Sequence, residues 1–163
     1  MSYKIDQATK DDLDFILYLN QESVPAVSNS DIEMMDHFLK ISEYFKVFKI
    51  NNELIGFLIA LLPGKDYNSV NYKWFQNKYD SFIYVDRIIF TESFQNQGYG
   101  TIFYNDLINS TKNKSMDIAC EINIKPYNEK SIKFHKKYGF NEVGRKDIDS
   151  NKSVIYMIYK NLE

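Results

Sequence analysis

The sequence predicts a mixed α/β (α+β) fold, a central sheet of about six to seven strands flanked by about four helices. Three observations carry that reading. Segments with strand and helix periodicity alternate from one end of the chain to the other. The strongly apolar strand at residues 81–90 opens a strand–helix–strand–helix run, a unit that joins parallel strands. No Pro/Gly/Ser-rich linker, low-complexity tract or fixed-period repeat interrupts the 163 residues, a length that suits one domain over 1–163.

Each element follows from local pattern. Residues 3–8 alternate as a short strand, and Thr9 offers an N-cap to a helix over 11–22 whose stripe is Leu13, Ile16, Leu17 and Leu19. Pro25 ends that helix or makes a turn, and Ser30 is placed to cap a second one with Ile32, Met35, Phe38 and Leu39 on one side. Runs 44–50 and 53–62 read as hairpin strands about Asn51-Asn52, a dipeptide that tolerates positive φ. Residues 63–79, with Tyr67, Tyr72, Trp74, Phe75 and Tyr79, form an aromatic insertion, a loop with one short helix lying over the core. A strand at 81–90, a helix at 98–110, a strand at 116–123 and a helix at 128–138 follow. Strands at 141–147 and 153–159 close the chain.

Composition narrows the function. Apolar residues make up 44% and aromatics 16%, enough burial to offset the entropy of folding. Lys plus Arg number 20 against 22 Asp plus Glu, a formal charge of −2 with no long basic run, so no nucleic-acid partner is expected. No stretch reads as a targeting signal or approaches the ~18 apolar residues of a membrane span, so a cytoplasmic protein without a membrane partner is expected. Cys120 is the only cysteine, which excludes an internal disulfide and suits reducing conditions.

Two segments carry chemistry. Gln95-Asn96-Gln97-Gly98-Tyr99-Gly100 follows the apolar strand and opens a helix. A helix start has N–H groups without internal partners and a positive dipole end. Glycines let the chain bend tightly there, which makes a cradle for a pyrophosphate. A Gly-x-Gly turn can also simply cap or pack a helix. No Gly-Lys-Ser/Thr follows, as a P-loop needs, and a dinucleotide fold sets its glycines near the first strand, so coenzyme A is the better candidate. The second segment, one helix and one strand downstream, is Asn128-Glu-Lys-Ser131-Ile-Lys-Phe134-His135-Lys-Lys-Tyr138-Gly139-Phe140.

Together the segments resemble the GNAT superfamily of acetyltransferases. Its pyrophosphate loop reads Gln/Arg-x-x-Gly-x-Gly/Ala and its later helix Asn-x-x-Ala/Ser-x-x-Leu/Phe-Tyr-x-x-x-Gly-Phe. The motif-bearing match spans residues 81–140, and the element order from Tyr3 onward is also the family's. More loosely, Tyr84-Val85-Asp86-Arg87-Ile88 and Cys120-Glu121-Ile122-Asn123 resemble a poorly characterised bacterial subgroup. The resemblance implies acetyl-CoA as acetyl donor and no metal. It also implies that backbone around Ile88, Ile89 and Phe90 meets the pantetheine arm, and that Gln95, Asn96, Gln97, Gly98, Tyr99, Gly100 and Thr101 hold the pyrophosphate. Asn128, with Ser131 and Phe134 of the same motif, is implied on the opposite side of the cofactor.

The resemblance sets His135 where many relatives carry a tyrosine that protonates the departing thiolate. Imidazole can donate that proton, whereas a histidine facing solvent between lysines would not. Tyr138, three residues on along the same helix face, is the substitute or a core residue. The family fixes no single base. On the strand at 116–123, Asp117, Ala119, Glu121 and Asn123 alternate with the apolar face of Met116, Ile118, Cys120 and Ile122. An unpartnered buried carboxylate costs several kcal/mol, so Glu121 is expected to face water or substrate in a cleft, with a pKa raised toward that of a useful base. Asp86, interrupting the face of Phe82, Tyr84, Ile88 and Phe90, is the second candidate. Either could instead form a salt bridge with Arg87 or a lysine and organise the core. Cys120 falls on the apolar face and reads as a small buried hydrophobe. Glu22 and residues 24–27 lie near where relatives bind acceptors, and the Trp74 insertion could complete that pocket; both could equally be structural.

The expected reaction is direct acetyl transfer in a ternary complex. Glu121 or Asp86 deprotonates a bound primary amine, strand amides hold the oxyanion, and His135 or Tyr138 returns a proton to sulfur. The acceptor is an unidentified amine, expected to be a small molecule. A protein lysine or N-terminus is the alternative acceptor, and a non-catalytic acyl-CoA-binding module the alternative of another class. Exposed aromatics leave a homodimer open.

Overall fold

The structure is a computed structural model that describes residues 2–111 and 116–161. These residues form a seven-stranded sheet in the order β1-β2-β3-β4-β5-β7-β6. The strands are β1 (Tyr3–Gln7), β2 (Tyr44–Ile50), β3 (Glu53–Leu61), β4 (Phe82–Phe90), β5 (Asp117–Lys125), β6 (Asn141–Asp149) and β7 (Lys152–Tyr159). The helices are α1 (Leu13–Glu22), α2 (Ile32–Ile41), α3 (Val70–Lys78), α4 (Tyr99–Thr111) and α5 (Glu129–Tyr138). All neighbouring strands run antiparallel except β4 and β5, the pair joined by the α4 crossover.

Two apolar layers sandwich the sheet. On one face Leu13, Ile16 and Leu19 of α1, Met35 and Phe38 of α2, and Tyr72 and Phe75 of α3 pack with Phe57, Ile59 and Tyr84. On the other face Phe103, Tyr104 and Leu107 of α4 and Ile132 of α5 pack with Leu58, Ile83, Ile118 and Cys120. The alternation read from the sequence of β5 is therefore the alternation of its two buried faces. Cys120 lies on the α4–α5 side, where burial pushes its thiol well above the ordinary range.

Local chemistry fixes the ends. Asn51 and Asn52 both take positive φ, 51° and 67°, and close the β2–β3 hairpin in the conformation that suits twisted strands. Thr9 and Asp12 form a capping box at a short 3-10 turn (Lys10–Asp12) leading into α1. The α2 cap is Asp31, not the adjacent Ser30: the Asp31 carboxylate accepts from Met34 N at 2.8 Å. The insertion carries α3, a fifth helix, and docks through Trp74, which stacks on Tyr156 at 4.0 Å between ring centroids.

Candidate active site

The sheet splits where β4 and β5 part. Their parallel pairing runs from Phe82–Asp117 to Tyr84–Ala119 and stops. In the β3–β4 ladder, Ile59 pairs with Arg87 and Ala60 with Val85, so Asp86 is the extra residue of a bulge. The bulge inverts the alternation of β4. Phe82 and Tyr84 face the α1–α3 layer, whereas Ile88 and Phe90 face the α4–α5 layer. The continuous face read from the sequence is thus broken at Asp86. A cavity of about 1060 Å³ fills the fork, lined by residues 85–90 of β4 and 120–123 of β5.

The two candidate carboxylates stand on opposite arms of the fork, in different states. Asp86, its side chain 4% exposed, accepts from Arg87 Nε at 2.6 Å and from the Tyr67 hydroxyl at 2.5 Å. Arg87 Nη1 reaches on to Asn20 Oδ1 at 2.7 Å and the Ser28 carbonyl at 3.2 Å. Asp86 is therefore salt-bridged to Arg87 and ties β4 to the α1–α2 loop, the structural alternative to a catalytic role. Glu121 has no cationic partner at bonding distance among the described residues and accepts from the Tyr84 hydroxyl. Burial, reinforced by the Asp86 charge, pushes its pKa from 4.5 up to about 8. That is a value suited to proton abstraction near neutral pH.

At one end of the cavity, Ser23, Ala26, Val27 and Ser28 of the α1–α2 loop face Tyr67, Ser69 and Asn71 of the insertion. The loop is tied to both arms, by Arg87 as above and by Asn123 Nδ2, which donates to the Pro25 carbonyl at 2.9 Å. The insertion is tied by Tyr67 and by the Tyr156 hydroxyl, which donates to Asn71 Oδ1 at 2.8 Å.

The other end is the turn before α4. Asn96 and Gly98 take positive φ, 62° and 87°. A Cβ on Gly98 would meet nothing within 4 Å, so the glycine serves the backbone and leaves its surroundings open. Gly100 does something else: a Cβ there would come within 2.9 Å of Phe134 Cζ, so this glycine lets α4 and α5 approach. Ile102 N bonds back to the Gly98 carbonyl at 3.3 Å, so the amides of residues 98–101 have no acceptor within the helix. Gln95, Asn96, Gly98, Tyr99, Gly100 and Thr101 line the cavity. Gln97 does not; its amide donates to the Ser93 carbonyl at 2.7 Å and braces the turn from outside.

From α5, Asn128, Ser131, Phe134, His135 and Tyr138 reach the cavity. Asn128 caps the helix, accepting from Ser131 N at 3.3 Å. His135 is 3% exposed and enclosed by aromatic rings. Its Nδ1 lies 2.7 Å from the Ser131 carbonyl and its Nε2 2.7 Å from the Tyr104 hydroxyl. A carbonyl only accepts, so Nδ1 carries the proton and Nε2 receives the tyrosine's. Burial lowers the imidazole pKa to about 4, which leaves no proton for a sulfur at neutral pH. Tyr138 donates to Asn105 Oδ1 at 2.7 Å, with its pKa pushed up to about 12 by burial.

Sequence reasoning did not find Tyr67, Tyr84 and Tyr104, the phenols on Asp86, Glu121 and His135. Nothing marks them apart from the many core tyrosines except three-dimensional proximity. Among the described residues no group of three or more His, Cys, Asp or Glu is arranged to hold a metal ion.

The model of the acetyltransferase (GNAT) family matches residues 13–140. The chain belongs to the GNAT acetyltransferase family, and is an acyltransferase. Solved structures agree on the fold. Ard1 from Thermoplasma volcanium is 17% identical, with a TM-score of 0.81 and all of both chains covered. The yncA protein of Salmonella typhimurium, solved with its cofactor acetyl-CoA, is 15% identical, with a TM-score of 0.73 over 100% of this chain and 96% of that one. Arabidopsis thaliana Naa50, solved with the bisubstrate analogue CoA-Ac-MVNAL, is 16% identical, with a TM-score of 0.71 over 96% and 98%. No curated protein matches the sequence.

Proposed function

We propose that this GNAT acetyltransferase carries an acetyl group from acetyl-CoA directly to a primary amine of a small molecule. The observation that supports it is one cavity joining Glu121, a carboxyl group raised to about 8, to the open turn at Gly98. In this reading the free amides of residues 98–101 bind the diphosphate, and the pantetheine lies along Ile88, Ile89 and Phe90. Asn128, Ser131 and Phe134 close over it from α5. The acceptor enters between the α1–α2 loop and the insertion, two walls that favour a small molecule over a protein chain.

The chemistry follows from the fork. Ionised Glu121 takes a proton from the bound ammonium, and the neutral amine attacks the thioester carbonyl. Asp86 stays paired with Arg87, which braces the α1–α2 loop beside the base. Backbone amides of β4 beyond its last rung with β5 would receive the developing oxyanion. A thiolate is a stable enough leaving group to depart without a strong acid. Tyr138 then turns its hydroxyl from Asn105 to the departing sulfur as hydrogen-bond donor, and His135 holds Tyr104 in the wall.

The test is calorimetry with acetyl-CoA, followed by thiol release against a panel of amines and amino-terminal peptides. Uptake of acetyl-CoA with amine-dependent thiol release supports the reading. Uptake without release for any amine marks a binding module. Release only with peptides moves the acceptor to protein N-termini or lysines.

A further inference from the structure

The acceptor end of the cavity holds a charge that the transfer itself does not use. Glu121 pairs with Tyr156 across the β5–β7 ladder and Asn123 with Val154. Side chains on one strand alternate, so Lys152, Val154 and Tyr156 share the face on which Glu121 and Asn123 lie. Lys152 lines the same cavity as Glu121, half-buried at the start of β7. Other half-buried lysines of the sheet have carboxylates: Lys46 pairs with Asp106 at 3.1 Å and Lys49 with Asp6 at 3.6 Å. Among the described residues Lys152 forms no ion pair. The Asp86–Arg87 pair neutralises itself, so the charges left for a ligand at this end are one carboxylate, on Glu121, and one ammonium, on Lys152.

We infer that the acceptor is an amino-acid-like zwitterion, its amine at Glu121 and a carboxylate of the same molecule at Lys152. The inference rests on the function proposed above and names its substrate class. Lys152 lies four steps along β7 from Tyr156, the rung opposite Glu121, about 13 Å at ~3.3 Å per residue, and the lysine side chain can reach back over part of it. That is the span of a small molecule. A single ammonium balances a carboxylate; a phosphomonoester, at about −1.5 to −2, would leave uncompensated charge in a partly buried site. The transfer stays balanced. The N–C bond forms as the C–S bond breaks, one ammonium proton passes through Glu121 to solvent, and the second leaves with the coenzyme A sulfur. The carboxylate–Lys152 pair is untouched.

The experiment measures thiol release from acetyl-CoA with free amino acids and, for each, its carboxamide, which keeps the amine and removes the anion. The expected result is a preference for the acid of about tenfold or more in kcat/KM, expressed in KM. In K152Q that preference falls to about one, in K152R it is retained, and in both acetyl-CoA affinity remains that of the wild type. Carboxamides used as well as the acids, or a preference that survives in K152Q, overturns the inference while leaving the acetyltransferase reading intact. If no amine of either kind releases thiol, the functional reading fails and this one with it.

Discussion

The Tyr104 hydroxyl donates to Nε2 of His135 at 2.7 Å, and the opposite ring nitrogen donates to the Ser131 carbonyl at the same distance. The imidazole is a neutral strut between α4 and α5. Its folded pKa, about 4, lies below the ordinary 6.5, so the stability it contributes is present above pH 6.5 and is lost as pH falls through about 4. Urea unfolding of the wild type at pH 7 and pH 4 should therefore differ by about 3 kcal/mol more than that of H135Q. H135Q should also keep the pH profile of kcat/KM, because the ring donates no proton to substrate.

Glu121 has the opposite sign. Its folded pKa, about 8, lies above its ordinary 4.5, so its contribution is full below pH 4.5 and is lost as pH rises through about 8. E121Q removes that loss and should be more stable than the wild type at pH 9, with the difference shrinking toward pH 5. Activity goes the other way: kcat/KM should drop about a hundredfold or more. The limb near pH 8 should vanish from the pH–rate profile, leaving the titration of the amine.

The two glycines of the turn should separate by experiment. G98A forces an L-residue to φ +87° in open space; it should cost about 1 kcal/mol of stability and raise the KM for acetyl-CoA. G100A drives a methyl group against Phe134 at 2.9 Å, so its cost should be relieved in G100A/F134L, whereas F134L gives G98A no relief. Denaturant midpoints of the wild type and the five variants check the stabilities, and acetyl-CoA titration checks the KM.

Arg87 holds Asp86 and the α1–α2 loop at once. R87M leaves a buried carboxylate with no cation beside it and should lose about 3–5 kcal/mol. D86N/R87M should recover most of that, while the acceptor KM stays high because Ser28 and Asn20 have lost their tie. Thermal unfolding and acceptor titration measure the two effects separately.

The strands and helices were legible because their cues are local. Asn51-Asn52 announces its hairpin, and the stripe of Leu13, Ile16 and Leu19 announces α1. Asp31 and Ser30 are equally good caps side by side, and only the helix geometry chooses between them. The tight turn at Gly98 could be read since glycine spacing and its place after a strand are both written in the chain. The bulge at Asp86 could not, because an inserted residue looks like continued alternation until the ladder with β3 is known. Nor could the state of His135, which depends on Tyr104, 31 residues away. Glu121 and Asp86 both stand out as carboxylates on largely apolar strands, but which of the two meets the arginine is decided by side-chain geometry.

Between Phe82–Asp117 and Tyr84–Ala119 lies the only ladder joining the strands from β1 to β4 to the strands from β5 to β7, among the described residues. The sheet is in effect two plates sharing a short seam. Whatever lodges in the gap beyond Tyr84 touches both plates and supplies cohesion that the missing rungs do not. Occupancy of the cavity is thereby coupled to the mechanical integrity of the whole sheet, and amide exchange along Asp117–Ala119 should slow as the gap fills.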